Sequence, residues 1–452
     1  MSALTRDFRH EDGAFPLRVP QNRHVNSLCH NVFHVTALFP IVCTGNASYL
    51  HENKDSRGEG GTAIRPNRAG RSAYHGCAMT ASNLHRHLPA LVQLTIHALC
   101  GVTIAVLLAA NVSAQVDANA SAPAVTVDAD GTVHIPPQTV PLSSFLSPEA
   151  RAYITYRLLH PDPAPDPDIT KERARIDAHL APLIDKQKAR YPVDMQAATI
   201  GGVPTLVIVP KAGIAPRNQH RVLINLHGGG FSVCAPTCGI IESIPIAGLG
   251  KIKVVTVNYR QGPEFKFPAA SEDVAKVYAE LLKQYKPQSI GIFGCSAGGM
   301  LTAESVAWFQ THHLPRPGAI GIFCASAGDF GGDAEFTTPP LDGRMPPPPT
   351  AGDGRMHLGY FSEAYMRDPM ISPVESAEVL RQFPPTLIVS GTRAFDYSSG
   401  INTHNQLTKL GVDAELHLWD GLFHGFFYDP DVPESRETYD VTVRFFDKHL
   451  QP

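Results

Sequence analysis

The stretch SIGIFGCSAGGML, residues 289–301, runs from apolar residues into a serine surrounded by glycine and alanine, with no charge anywhere. Its centre, GCSAG at 294–298, fits the pattern G-x-S-x-G, in which a tight strand-to-helix turn strains the serine backbone and exposes its hydroxyl. Glycines stand two positions either side because a side chain there would collide with the neighbouring strand or helix. The alternative is an ordinary turn in which Ser296 only caps a helix.

The chain beyond Arg221 alternates apolar segments with helical ones, and this favours the first interpretation. The segments predicted as strands are RVLINL, KVVTVNY, SIGIFG, GAIGIFCAS, PTLIVSG and AELHLW, and the predicted helices include SEDVAKVYAELLKQY and ESRETYDVTVRFFDKHL. Continuous apolar strands separated by helices indicate an α/β fold with a mostly parallel sheet, covered by helices on both faces. Ligands of such sheets bind at the carboxyl ends of the strands, where Ser296 lies.

Two further segments complete the predicted layout. MQAATI and TLVIVP, joined across Gly201-Gly202, predict a hairpin ahead of the parallel strands. The proline-rich stretch 329–373 interrupts the alternation, and we interpret it as a surface excursion that either lines the pocket or is an ordinary loop.

The composition excludes several classes of protein. The 452 residues are 43% hydrophobic and 18% charged, with a formal net charge of −4. They suffice for one large domain or two ordinary ones, with ample apolar content for a core. Nothing in this balance indicates a nucleic-acid-binding surface, and no paired CxxC motif indicates a metal site. We therefore expect neither a nucleic-acid partner nor a metal.

The first 114 residues differ from the rest. Residues 1–78 are rich in Arg and His and lack periodicity, so we interpret them as a non-native upstream extension, disordered, read from a misplaced start. Residues 79–114, from Met79, have a mildly basic start, an apolar run at 98–110 and a Val-Ser-Ala ending at 112–114, the layout of a secretory signal peptide.

A membrane span at about 88–110 is the alternative, although Gln93 and His97 inside it argue against this. Either interpretation places the rest of the chain outside the cytoplasm: secreted or periplasmic with a signal peptide, or membrane-anchored with a span. After signal cleavage no stable span is expected. Residues 115–146, rich in Ala, Asp and Pro, are predicted as a linker.

A serine becomes a nucleophile only when a histidine takes its proton and an acid orients that histidine. Backbone amides must also stabilise the oxyanion of the intermediate. NLHGGGF supplies such amides, since no Lys-Ser/Thr follows as in a phosphate-binding loop. We predict the amides of Gly228, Gly229 and Ala297 as the oxyanion hole.

His424, in the glycine-bounded loop WDGLFHGFF after the last strand, is the predicted base. His417 lies within that strand and is interpreted as structural. His227 heads the glycine turn, and we interpret it as an anchor of that loop rather than as the base that takes the serine proton.

Taken in order, HGGGF, VNYRQGPEFKFPAASED, GCSAGG and DGLFHGFF resemble the hormone-sensitive-lipase-like branch of the α/β-hydrolase fold, over about residues 150–450. The resemblance implies an α/β-hydrolase domain at 147–452, a helical cap at 147–192, esters of short to medium acyl chains as substrates, and no cofactor. It also implies that five residues support the wall of the site: Tyr259, Arg260, Pro263, Glu264 and Pro268.

The acid departs from the family pattern. Asp often follows G-T-R directly in the family, whereas GTRAFDYSSG has Ala394 there and Asp396 two residues later. The fold requires a carboxylate on this loop, and Asp396 is its only acidic residue. We predict Asp396 as the acid, through a shifted loop; Asp420, or a dyad without an acid, is the alternative.

These residues predict a serine carboxylesterase acting on a small-molecule ester through Ser296, His424 and Asp396 and an acyl-enzyme. A non-catalytic receptor on the same scaffold and an amidase or peptidase with the same triad are the alternatives. Ser326 is a weaker candidate nucleophile, because its motif lacks the first glycine. Cys234 and Cys238 could form a disulfide or be small buried residues. The sequence leaves the oligomeric state open.

Overall fold

The computed structural model describes residues 124–345, 359–361 and 367–452. The predicted upstream extension and signal peptide therefore lie outside the described residues, as does part of the 329–373 excursion. No helix in the described ranges is long and apolar enough to cross a membrane.

Ten strands are present in the described ranges. Two of them, β1 (Thr126–Val127) and β2 (Val133–His134), pair as a short antiparallel hairpin within the segment predicted as a linker. The other eight form one sheet: β3 (Val193–Ile200), β4 (Val203–Pro210), β5 (Val222–Leu226), β6 (Lys253–Val257), β7 (Ile290–Cys295), β8 (Ala319–Phe323), β9 (Thr386–Gly391) and β10 (Ala414–Trp419).

The order across this sheet is β10-β9-β8-β7-β5-β6-β4-β3. Strands β5 to β10 pair in parallel, and β4 pairs antiparallel with both of its neighbours. The predicted hairpin is confirmed as β3–β4, whose turn residues Gly201 and Gly202 both have positive φ angles. The prediction of a mostly parallel α/β sheet is confirmed.

Nine α-helices surround the sheet in the described ranges: α1 (Pro148–Leu159), α2 (Ile169–Arg190), α3 (Thr237–Gly250), α4 (Ala269–Leu281), α5 (Ala297–Thr311), α6 (Asp333–Leu341), α7 (Ala377–Arg381), α8 (Tyr397–Lys409) and α9 (Pro433–His449). Successive side chains of a strand point to opposite faces of the sheet, so the strands contribute to two hydrophobic cores, one on each face. Leu223 of β5 packs with α3 and α9, whereas Ile224 packs with α4 and α5.

Helices α1 and α2 make up most of the segment predicted as a cap. Ser147 caps α1 by accepting a hydrogen bond from the Ala150 amide, and its own hydroxyl donates to Glu434 of α9 (2.8 Å). Lys186 of α2 forms an ion pair with Asp429 (2.9 Å). These contacts attach both helices to the body of the domain.

Candidate active site

The turn around Ser296 has the strained geometry that its glycines predict. Ser296 lies between β7 and α5 with φ 57° and ψ −124°, a region that residues other than glycine rarely occupy. A Cβ atom on Gly298 would lie 1.8 Å from the carbonyl oxygen of Leu226, and one on Gly294 would lie 2.2 Å from it. Real Cβ atoms do not approach backbone so closely, so the contact with β5 requires both glycines.

His424 and Asp396 are hydrogen-bonded to each other. The His424 Nδ1 atom lies 2.7 Å from Asp396 Oδ1, and the other carboxylate oxygen accepts from Ser390 Oγ at 2.5 Å. Asp396 is 0% exposed, at the start of α8, and the His424 ring stacks on Phe395 with 4.5 Å between centroids. The acid two residues beyond the family's usual position therefore reaches the predicted histidine.

Ser296 and His424 line one cavity of about 370 Å³, together with Gly229. The cavity lies between the body of the domain and helices α1 and α2, which contribute Tyr153 and Leu180 among others. The structure thus brings the predicted nucleophile and base to a common surface, at the carboxyl ends of the parallel strands.

The alternative site residues have other partners. The Asp420 carboxylate accepts from Thr392 Oγ1 (3.0 Å) and from the Ser143 hydroxyl. The buried Ser326 hydroxyl donates to the Gly328 carbonyl (2.6 Å). We therefore favour neither as acid or nucleophile.

His227 is placed to support the glycine loop. Its Nδ1 lies 2.7 Å from the Gly228 carbonyl oxygen, and its ring stacks on Tyr259 at 4.1 Å. Burial lowers the pKa of His227 to about 4, so the ring is neutral at ordinary pH. This geometry agrees with an anchoring role.

The oxyanion-hole prediction needs one correction. The Gly228 amide donates to Glu242 Oε1 of α3 (3.1 Å), so it is not free to bind an oxyanion. No hydrogen bond within the described part of the chain uses the Gly229 or Gly230 amide. Ala297 is the first residue of α5, where helix amides have no partner within the helix. The sequence could not show which amides of three consecutive glycines are free.

Glu242 itself was not predicted from the sequence, although a lone carboxylate in the apolar helix TCGIIESIPIAGLG is a signal. A buried charge needs hydrogen-bond partners. Glu242 is 5% exposed, and its partners include the Gly228 amide, Asn225 Nδ2 (2.9 Å) and the Tyr428 hydroxyl (2.9 Å).

We expect Glu242 to make stability depend on pH. Burial raises its pKa from 4.5 to about 7, so between these values the folded protein holds a proton that the unfolded chain releases. The free energy of unfolding therefore falls as pH rises through this window, by up to about 1.4 kcal/mol per pH unit. Glu242→Gln removes the titration, so the variant should gain stability relative to wild type between about pH 5 and about pH 8. Denaturant unfolding of wild type and Glu242→Gln at both pH values measures the two free energies of unfolding. If the difference between them does not change with pH, the prediction is contradicted.

The motif at 259–268 is tied to the glycine loop, to α2 and to α4. The Tyr259 hydroxyl donates to the His227 carbonyl (2.7 Å), which fixes the start of the glycine loop. Glu264 forms an ion pair with Arg173 of α2 (2.7 Å), and Arg260 binds two carboxylates of α4 at 2.7 and 2.8 Å. These contacts agree with the supporting role that the resemblance implies.

The four cysteines of the described ranges fall into two pairs. Cys234 and Cys238 form a disulfide that lines the cavity. Cys295 and Cys324 are free and buried. Cys324, Asp396 and His424 have possible metal-ligand atoms within 4.8 Å of one another, but the imidazole and the carboxylate already bind each other.

Comparisons with known proteins find relatives that share this fold. Residues 223–428 match the family model of the alpha/beta hydrolase fold. An acetyl-hydrolase of Streptomyces hygroscopicus is 28% identical over 231 residues, covering 51% of this chain and 76% of that protein. A carboxylesterase/phospholipase of Mycobacterium tuberculosis is 28% identical over 245 residues, covering 51% of this chain and 63% of that protein.

Solved structures extend the match. The crystal structure of an esterase, E25, superposes with a TM-score of 0.61 at 27% identity, covering 70% of this chain and 99% of that one. An esterase of the bacterial hormone-sensitive lipase family, at 23% identity and a TM-score of 0.57, covers 67% of this chain and 98% of that one, and shows the same fold. This chain therefore has the alpha/beta hydrolase fold over residues 223–428, and it is similar to esterases of that fold.

Proposed function

We propose that this protein is a serine carboxylesterase whose nucleophile is Ser296, with His424 as base and Asp396 as the acid that orients it. The observation that carries the proposal is the hydrogen-bonded pair of His424 and Asp396 (2.7 Å), on the cavity that the strained Ser296 also lines. The amides of Gly229, Gly230 and Ala297 form the oxyanion hole.

The reaction proceeds in two halves. His424 Nε2 takes the proton of Ser296 as Oγ attacks the ester carbonyl carbon, and the amides stabilise the oxyanion. The tetrahedral intermediate collapses, His424 gives the proton to the leaving alkoxide, and an acyl-enzyme remains. Water, deprotonated by His424, then attacks the acyl carbon. The second tetrahedral intermediate collapses to the carboxylic acid, and His424 returns the proton to Ser296 Oγ. Asp396 keeps the imidazole in the tautomer with a proton on Nδ1.

The cavity supports a preference for uncharged acyl groups of short to medium length. Its volume of about 370 Å³ is near the lower end of ligand pockets. Its two arginines, Arg157 and Arg175, are paired with Asp342 (2.9 Å) and Glu172 (2.7 Å). The apolar and aromatic lining is Tyr153, Ile176, Leu180, Leu183, Val233, Phe423 and Tyr428. Asp162, His179 and His424 are the other ionisable side chains that line the cavity.

A profile of p-nitrophenyl ester hydrolysis against acyl chain length tests the proposal. Acetate, butyrate and octanoate esters should be cleaved with higher kcat/KM than the palmitate ester. No cleavage of any ester would overturn the proposal and favour a receptor. Matched p-nitroanilides provide the second arm, since faster anilide than ester cleavage would identify an amidase.

We further propose that the catalytic part of the chain is secreted or periplasmic. The disulfide between Cys234 and Cys238 supports an oxidising compartment. Residues 1–78 are predicted as an upstream extension and residues 79–114 as a signal peptide, so a chain beginning at Gln115 should match the full-length protein in kcat and Tm. Thermal melts and esterase assays of both proteins measure Tm and kcat. A Tm that depends on residues 1–78 would contradict the interpretation of those residues as an upstream extension.

A further inference from the structure

A single buried carboxyl group joins the two loops on which the chemistry depends. Glu242 Oε1 accepts from the Gly228 amide at 3.1 Å and from the Tyr428 hydroxyl at 2.9 Å. Gly228 directly precedes the free amides of Gly229 and Gly230. Tyr428 follows the loop of His424 by four residues, in the 3-10 helix Phe426–Tyr428. The carboxyl therefore bridges the oxyanion loop and the histidine loop.

The helix that carries Glu242 is held at a fixed distance from the sheet. A Cβ atom on Gly239 would lie 2.1 Å from Thr256 Oγ1 of β6, so this turn of α3 packs directly on the strand. Thr256 Oγ1 donates to Asn225 Oδ1 (2.8 Å), and Asn225 Nδ2 donates to Glu242 Oε2. The position of the carboxyl is thus set by the sheet rather than by the loops.

Stability does not explain this group. Its hydrogen-bond donors include a backbone amide, a side-chain amide and a phenol, and the other titratable groups near it in the described ranges include Tyr259, Cys295 and Cys324. A carboxyl group buried among such neighbours, with no cation paired to it in the part of the chain that the structure describes, costs folding free energy. Groups that lower folding stability in this way are typical of functional sites.

We propose that Glu242 is a positioning residue for catalysis: by accepting from Gly228 and Tyr428, it aims the amides of Gly229 and Gly230 at the oxyanion and fixes the loop that carries His424. It does not touch the substrate. This inference rests on the proposed esterase function and identifies a residue outside the triad on which its rate depends.

The test is a set of variants assayed for kcat, KM and the rate of phosphonylation by a fluorophosphonate probe, which also needs the oxyanion hole. Glu242→Ala should lower kcat and the phosphonylation rate by roughly 10- to 100-fold with KM changed less than about threefold. Glu242→Gln keeps an acceptor oxygen for Gly228 and Tyr428 and should retain most of kcat. Tyr428→Phe removes one donor and should lower kcat by several-fold.

Glu304 of α5 provides the matched control because it is also a buried carboxyl, and the proposed mechanism does not use it. Glu304→Ala should keep kcat within about twofold, whatever happens to Tm. Wild-type kcat in folded Glu242→Ala and Tyr428→Phe, or equal losses in Glu242→Ala and Glu242→Gln, would overturn the inference. If Glu242→Ala does not fold, wild-type kcat in Tyr428→Phe or a large loss of kcat in Glu242→Gln would overturn the inference. An inactive wild type would overturn the esterase proposal instead, so the two failures are distinguishable.

Discussion

Ser296→Ala is expected to lower kcat for p-nitrophenyl butyrate by roughly 10⁶-fold, the loss typical when a hydrolase loses its nucleophile. Without Oγ no acyl-enzyme forms, and His424 has no proton to take. The strained backbone at φ 57° is fixed by the neighbouring glycines and is unaffected, so Tm should change little. Steady-state kinetics and a thermal melt of the same preparation measure both quantities.

The control is Ser326→Ala, which removes the other serine followed by alanine and glycine. Its hydroxyl donates to the Gly328 carbonyl, so this variant should keep wild-type kcat and lose at most some stability. Residual turnover of a few per cent in Ser296→Ala, together with a collapse in Ser326→Ala, would move the nucleophile to Ser326.

Asp396→Asn is expected to lower kcat by roughly 10⁴-fold with little change in folding. The carboxylate accepts from His424 Nδ1 (2.7 Å) and from the Ser390 hydroxyl. An asparagine whose NH₂ group faces Nδ1 stabilises the tautomer with the proton on Nε2, which cannot accept the proton of Ser296. Kinetics with the same ester, and the phosphonylation rate of Ser296, should fall together.

Asp420→Asn is the matched control, since the Asp420 carboxylate bonds Thr392 and Ser143 rather than His424. It should keep kcat within about threefold. The double variant Ala394→Asp with Asp396→Ala should recover part of the activity if both positions reach His424. Near-wild-type turnover in Asp396→Asn, or a larger loss in Asp420→Asn, would contradict the assignment.

The parallel sheet could be predicted because its strands are buried on both faces and therefore read as unbroken apolar runs. Helix α6 was not predicted, since Pro339 and Pro340 in its sequence DAEFTTPPL favour a loop. The β1–β2 hairpin lies in a stretch interpreted as a linker, where strands two residues long give too little alternation to detect.

Those site residues could be predicted whose chemical role only a few residue types can fill. Ser296 and His424 follow from motif and chain order, and Asp396 from being the only carboxylate on its loop. The direction of an amide is not encoded in residue type, so the sequence could not separate Gly228 from Gly229 and Gly230. Glu242 escaped prediction because its partners lie 14, 17 and 186 positions away in the chain.

The central claim, that Ser296 is an activated nucleophile, is tested most directly by mapping where a fluorophosphonate binds the wild-type protein. Peptide mass spectrometry after labelling should find one adduct, on the peptide that contains residues 289–301 and at Ser296 itself. Prior incubation with a short-chain ester should slow its formation. No adduct, or an adduct at another residue such as Ser326, would contradict the account.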